Sequence, residues 1–165
     1  MYRLEEYVMF TVGDKVVYPM HGAGIIESIE EKEILGQKKD YYIIKTAYFD
    51  MTVMAPVDSC DIIGIRSIVD SETLDKMLED LAGPATPMSE SWSKRFKDNT
   101  DKLKTGRLEC VTEVVRNLGR QEKVRRLSTG EKKMLMNAKH ILASEIMLVR
   151  QMTKSQASQI IEEAI

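Results

Sequence analysis

The spacing of apolar residues changes near residue 66, and that change limits the chain to two successive kinds of structure. Before it, β-branched and aromatic residues come in short runs bounded by turn formers. Val16-Val17-Tyr18 follows Gly13-Asp14 and ends at Pro19. Gly22-Ala23-Gly24 leads into Ile25 to Glu30, which alternates after its first residue. A polar turn region, Leu35 to Asp40, precedes Tyr41-Tyr42-Ile43-Ile44-Lys45, and Asp50 to Pro56 supplies a further short strand. Period-two runs punctuated by glycine and proline are strand signals. Four or five of them within about 60 residues imply a small, strongly bent antiparallel sheet or barrel. Exposed strand edges in such a module can capture a strand from a partner. Gly22 and Gly24 are read as turn geometry, since no phosphate-loop Lys-Ser/Thr follows them.

After residue 66 the spacing becomes helical. Ser71 to Leu74 opens a helix that Gly83-Pro84 ends. Ser89 or Ser91 can cap the next, running through Lys97 and Leu103 towards Gly106. Leu108, Val111, Val114, Val115 and Leu118 fit one buried helical face that weakens near Gly119. Ser128 and Glu131 have capping-box spacing ahead of a long helix burying Met134, Leu135, Ala138, Ile141, Leu142, Ile146 and Val149. A short helix from Ser155 to Ile165 turns Ile160, Ile161 and Ala164 inward. The expected fold is therefore α+β: a β-rich domain over residues 9–66, then a compact all-α domain of about five helices over residues 67–165. The prolines at Pro84 and Pro87 are read as an interhelical loop.

Charge is unevenly placed. From Trp92 to Leu127 eleven bases face five acids, a net of +6, which leaves −8 for the remainder of a chain whose formal charge is −2. A basic block inside an acidic protein suits a polyanionic partner, or is a solvated face that favours cations. Trp92, the only tryptophan, lies in Ser-Glu-Ser-Trp-Ser-Lys-Arg-Phe-Lys, beside Lys94, Arg95 and Lys97. Cations can hold phosphates while an aromatic ring stacks on or wedges against a base. The other reading has Trp92 stapling the start of a helix onto the core.

Catalytic and metal patterns are lacking. His21 and His140 fall in different modules, and Cys60 and Cys110 match no metal or redox spacing. His21 reads as a turn residue and His140 as a partly buried structural one. No phosphate loop, dinucleotide fingerprint or nucleophile elbow is present. No enzyme activity, metal or cofactor is expected. No run approaches 18 apolar residues, and the acidic start differs from a secretory leader. A cytoplasmic, membrane-free protein with reduced thiols is the expectation.

Phe10-Thr11-Val12-Gly13-Asp14-Lys15-Val16-Val17-Tyr18-Pro19-Met20-His21-Gly22-Ala23-Gly24 resembles the opening of the CarD/CdnL family of bacterial transcription regulators. The same module occurs, in related form, as the polymerase-interacting domain of transcription-repair coupling factor. Trp92-Ser93-Lys94-Arg95-Phe96-Lys97 and Leu127 to Leu135 resemble the helical domain of CarD-type proteins, while the coupling factor would continue into helicase motifs. The resemblance covers residues 9–165. Met1 to Val8 lie outside it, with Met9 as the expected family start.

The resemblance implies a Tudor-like or SH3-like barrel that binds the β subunit of RNA polymerase, through Lys32, Ile34, Met54 and Pro56. It implies a helical domain that contacts promoter DNA at the upstream fork of the transcription bubble, in the minor groove and with little sequence readout. Trp92 matches the family's fork tryptophan, and Lys94, Arg95, Lys97 and Lys132 would hold phosphates. Two basic positions used by some members fall here on Lys32 and on Met54. Lysine keeps the charge but not the bidentate fork of arginine. The function implied is a monomeric, non-enzymatic factor that stabilises the open promoter complex. The alternative is a polymerase-anchored adaptor whose basic domain recruits an acidic protein.

Overall fold

A computed structural model describes residues 9–165; the expectation for residues 1–8 lies outside the described residues. Five antiparallel strands form one sheet in the order β4-β3-β2-β1-β5. They are β1 (Lys15–Tyr18), β2 (Gly22–Ile34), β3 (Gln37–Thr46), β4 (Thr52–Pro56) and β5 (Arg66–Ser67). The expected polar turn over residues 35–40 is shorter than its composition suggested. Leu35 and Gly36 alone make it, both with positive φ (51° and 77°), and Ile34 pairs directly with Gln37. A two-residue left-handed turn matches the twist of the strands it joins, so pairing continues to the tip.

The register of β2 against β3 shifts between Ile26 and Ser28. Such a bulge bends a strand. On one side of it β2 wraps a core of Phe10, Val16, Ile26, Tyr42, Ile44, Ala55, Cys60 and Ile65. On the other, Ile29 to Ile34 form an exposed hairpin arm. Gly22-Ala23-Gly24 is not a turn but the buried first stretch of β2. A Cβ on Gly24 would lie 2.5 Å from the Lys45 carbonyl oxygen, and one on Gly22 2.7 Å from Ser144 Oγ. Both glycines permit close approach. The 3-10 turn Val57–Ser59 and the short helix α1 (Cys60–Ile63) connect β4 to β5. Both cysteines are free, and burial, followed by Asp61 and Asp58, pushes the Cys60 thiol up to about 11.

Five helices follow: α2 (Ser71–Ala82), α3 (Trp92–Lys104), α4 (Leu108–Val124), α5 (Thr129–Arg150) and α6 (Lys154–Ala164). The cap of α2 is Asp70, whose Oδ1 accepts from the Thr73 N–H at 2.7 Å; Ser71 is already inside the helix. Helix α4 passes through Gly119 unbroken. That glycine makes room for Ile165, whose Cδ1 would lie 3.0 Å from an added Cβ. Helix α6 begins with a complete capping box, Thr153 and Gln156.

Leu74, Leu81, Leu103, Leu108, Val111, Val114, Val115, Leu118, Leu135, Leu142 and Ile146 form the helical core. Val149, Ile160 and Ala164 are only partly buried, and Ala157 and Ile161 carry the inner face of α6. Helix α5 is the spine of the molecule, since its later turns also meet the sheet. Ser144 Oγ accepts from the Ala23 N–H at 2.8 Å. His140 stacks on Tyr48 of the β3–β4 loop, 4.2 Å between ring centroids, as befits a structural histidine. Among the described residues no helix is long and apolar enough to cross a membrane.

Candidate nucleic-acid interface

Trp92 is the first residue of α3 and is half-exposed. Phe96, one helical turn on, stacks on it with centroids 5.3 Å apart and planes 25° apart. The indole does not enter the core: its neighbours are the Phe96 ring and the first turn of α5. Its Nε1–H donates to Ser128 Oγ at 2.9 Å. Ser128 is the cap of α5, and the same oxygen accepts from the Glu131 N–H at 3.2 Å. Its own proton goes to Glu131 Oε1 at 3.2 Å. A hydroxyl has one donor and two acceptor lone pairs, so Ser128 is fully used. Glu131 departs from capping-box behaviour, because its carboxylate is taken by Ser128 and Arg95.

Arg95 is not free to hold a phosphate as the sequence reading expected. Its Nε and Nη2 donate to the two Glu131 oxygens at 2.8 and 3.0 Å, and Nη1 reaches the carbonyls of Ser89 and Glu90. Glu131 is buried, 2% exposed. The Arg95 hydrogen bonds hold its carboxyl below the ordinary glutamate value despite burial, with Ser128 adding to the effect. The same bonds raise Arg95. Arg95 stands one turn from the rim and faces inward because a buried carboxylate without a partner is strongly unfavourable.

Lys94 and Lys97 do point outward. Each makes an exposed i,i+4 pair, with Asp98 at 2.8 Å and with Asp101 at 2.7 Å. Exposed pairs of this kind contribute little and are screened by salt, so a phosphate can replace the acid. Lys132 and Lys133 are exposed on α5, just beyond its capped end. Trp92 therefore sits where the N-termini of α3 and α5 meet. Ser91 caps α3 without a side-chain bond. Helix N-termini carry partial positive charge and unpaired N–H groups.

The sequence-predicted polymerase residues are not gathered into one cluster. Lys32 and Ile34 lie on the hairpin arm, opposite Lys39 and Gln37, and Lys32 is paired with Glu30 at 3.2 Å. Met54 and Pro56 lie on β4, opposite Ile43 and Tyr41. What joins the two sets is β3, which stands between them. Among the described residues, strand β4 pairs with β3 alone and ends the sheet. Leu35, 99% exposed at the hairpin tip, and the exposed Met51 beside β4 are apolar surface residues that the sequence did not single out. Sequence reasoning also missed Phe96, Ser128 and Glu131 as supports of Trp92. The i,i+4 spacing of Trp92 and Phe96 was a usable signal; the approach of Ser128, 36 residues away, was not.

Two family models match the chain. Residues 10–69 match the CarD-like/TRCF RID domain, and residues 76–162 match the CarD C-terminal domain. The chain is 43% identical over 148 residues to a Bacillus subtilis (strain 168) protein described as "Putative transcription factor YdeB", covering 90% of this chain and 97% of that one. The matched segments take in both the sheet and the helices that hold Trp92. The chain belongs to the CarD family of transcription regulators.

Proposed function

We propose that the N-terminal sheet binds the β subunit of RNA polymerase, and that the helical domain contacts promoter DNA at the upstream edge of the bubble and stabilises the open complex. The outer edge of β4, which no other described residue pairs, carries exposed Met54 with exposed Met51 just before it and supports the first half. An unpaired edge offers a row of backbone donors and acceptors to an added strand. Lys32 and Ile34 on the neighbouring arm would set register and partner choice.

The observation that carries the second half is the half-exposed Trp92 ring at the point where two helices begin, with Lys94, Lys97 and Lys132 exposed along those same two helices. A bulky apolar ring at a base step is favourable only where the stack is already opened. A ligand that prefers the melted state shifts the equilibrium towards it by its differential affinity. A preference of about 1.4 kcal/mol changes the open-to-closed ratio tenfold. The lysines reach phosphates, which gives affinity without base identity. Anchoring on polymerase raises the effective DNA concentration, so the free protein need not bind DNA tightly.

The test is the lifetime of a promoter open complex with matched polymerase and wild-type protein, Trp92→Ala or no protein. The expected result is a lifetime extended by wild type and returned to baseline by Trp92→Ala, with polymerase binding kept. Equal lifetimes for wild type and Trp92→Ala would overturn the DNA contact and favour the adaptor.

A further inference from the structure

We infer that Ser128 is a positioning residue for Trp92: its hydroxyl fixes the indole in the orientation that meets DNA and consumes the ring's only hydrogen-bond donor. The inference rests on the DNA contact proposed above, but the hydrogen-bond chain behind it is independent of DNA. An exposed ring at a helix start has several rotamers open to it, and each immobilised side chain costs entropy on binding. Here two interactions remove that freedom beforehand. Phe96 covers one face of the indole. Ser128 Oγ takes the Nε1–H at 2.9 Å.

The acceptor is itself held. Ser128 Oγ is oriented by Glu131, through the backbone N–H and Oε1 at 3.2 Å each, and Glu131 is clamped by the two-pronged Arg95 pair. Arg95 in turn sits on α3, one turn from Trp92. The loop of interactions closes on the helix that carries the ring. Gly130 is the gap through which α5 approaches: an added Cβ there would lie 3.3 Å from Phe96 Cε2 and 3.9 Å from Trp92 Cζ2.

One chemical consequence follows. Indole has a single donor and no acceptor, and that donor is turned into the protein. What Trp92 presents outward is ring surface, which stacks on any base. The ring thus reads whether a base step is open, not which base stands there.

The test uses Ser128→Gly and Ser128→Thr in the full chain. Glycine is nearly as good a helix cap as serine yet offers the indole no oxygen. Threonine keeps both the cap and the acceptor. Because Trp92 is the only tryptophan, its fluorescence anisotropy and its single indole N–H resonance report this ring alone. For Ser128→Gly the expected result is a more mobile ring, faster indole N–H exchange and an open-complex lifetime shortened roughly two- to tenfold, the range of one hydrogen bond. Ser128→Thr should match wild type in all three. A ring as immobile in Ser128→Gly as in wild type overturns the inference, and so does a mobile ring with an unchanged lifetime. If Trp92→Ala leaves the lifetime at the wild-type value, the DNA contact has failed, while anisotropy and exchange still decide whether Ser128 holds the ring.

Discussion

Arg66, in the last strand of the sheet, and Glu145, in the later turns of α5, join the two domains through a two-pronged ion pair. Nη1 and Nη2 donate to Oε2 and Oε1 at 2.9 and 2.8 Å. Glu145 also accepts from the Val69 N–H, and Arg66 Nε donates to the Gly106 carbonyl. One arginine thereby ties the sheet, the α3–α4 turn and α5. The Glu145 side chain is 3% exposed and that of Arg66 25%.

Removing one member of such a pair should cost more than removing both. Glu145→Ala leaves a partly buried guanidinium unpaired, a loss of about 3 kcal/mol, the low end for a broken buried pair because Arg66 keeps some water. The double replacement Arg66→Met/Glu145→Leu should recover most of it. Urea unfolding of the three proteins checks this. The double variant should also keep polymerase binding while lengthening open complexes less, since one of the polar links between the sheet and α5 is gone.

The switch from strands to helices was legible because period-two and 3.6-residue spacings are properties of the local chain. The same holds for the Ser128 cap and for the buried faces of α4 and α5. The pairing of Arg95 with Glu131 was not legible, because nothing local distinguishes that arginine from Lys94 and Lys97. Its partner Glu131 lies 36 residues away, and only the packing of α3 on α5 reveals that this cation faces inward. Gly22 and Gly119 were misplaced for a related reason. Each was read as a turn or a weakening, but each makes room for a distant residue, Ser144 or Ile165.

Glu131 should give the helical domain an acid-sensitive step. Its carboxyl is held below the ordinary value of 4.5, chiefly by the Arg95 hydrogen bonds. A group with a depressed folded value binds fewer protons folded than unfolded. Its contribution is therefore complete above the ordinary value and is lost as pH falls through the folded one. Urea midpoints should fall as pH drops below about 4.5. Glu131→Gln should be less stable near neutrality and should show a flatter slope in that window, with the Trp92 indole N–H exchanging faster as the Ser128 hydrogen bond loosens.

His140 should add a second, milder step at higher pH. Burial lowers it from its ordinary 6.5, and Lys154 and Lys139 act in the same direction. Lys154 also lies over the Tyr48 ring, 4.5 Å from its centroid, and the acids Glu122 and Glu162 line the same groove. A histidine lowered on folding takes up protons more readily when unfolded. Stability is full above 6.5 and declines as pH falls from there towards the folded value. His140→Phe keeps an aromatic partner for Tyr48 and cannot titrate. Its unfolding midpoint should be flat between about pH 7 and pH 5, where that of wild type declines.

Lys97 and Arg95, two positions apart in α3, should fail in different ways. Lys97 is exposed, and its pairing with Asp101 can be exchanged for a phosphate. Lys97→Ala should leave unfolding unchanged and weaken the open-complex effect evenly across promoter sequences. It should also reduce the slope of that effect against log salt by about one, the change expected when a single phosphate is no longer neutralised. Arg95→Ala removes the clamp on buried Glu131. It should destabilise the helical domain by about 3 kcal/mol and loosen the Trp92 ring, with the salt slope kept. Salt titration of open-complex lifetimes, run beside urea unfolding, separates the two. A lowered salt slope in Arg95→Ala with unchanged stability would return Arg95 to the phosphate-binding set.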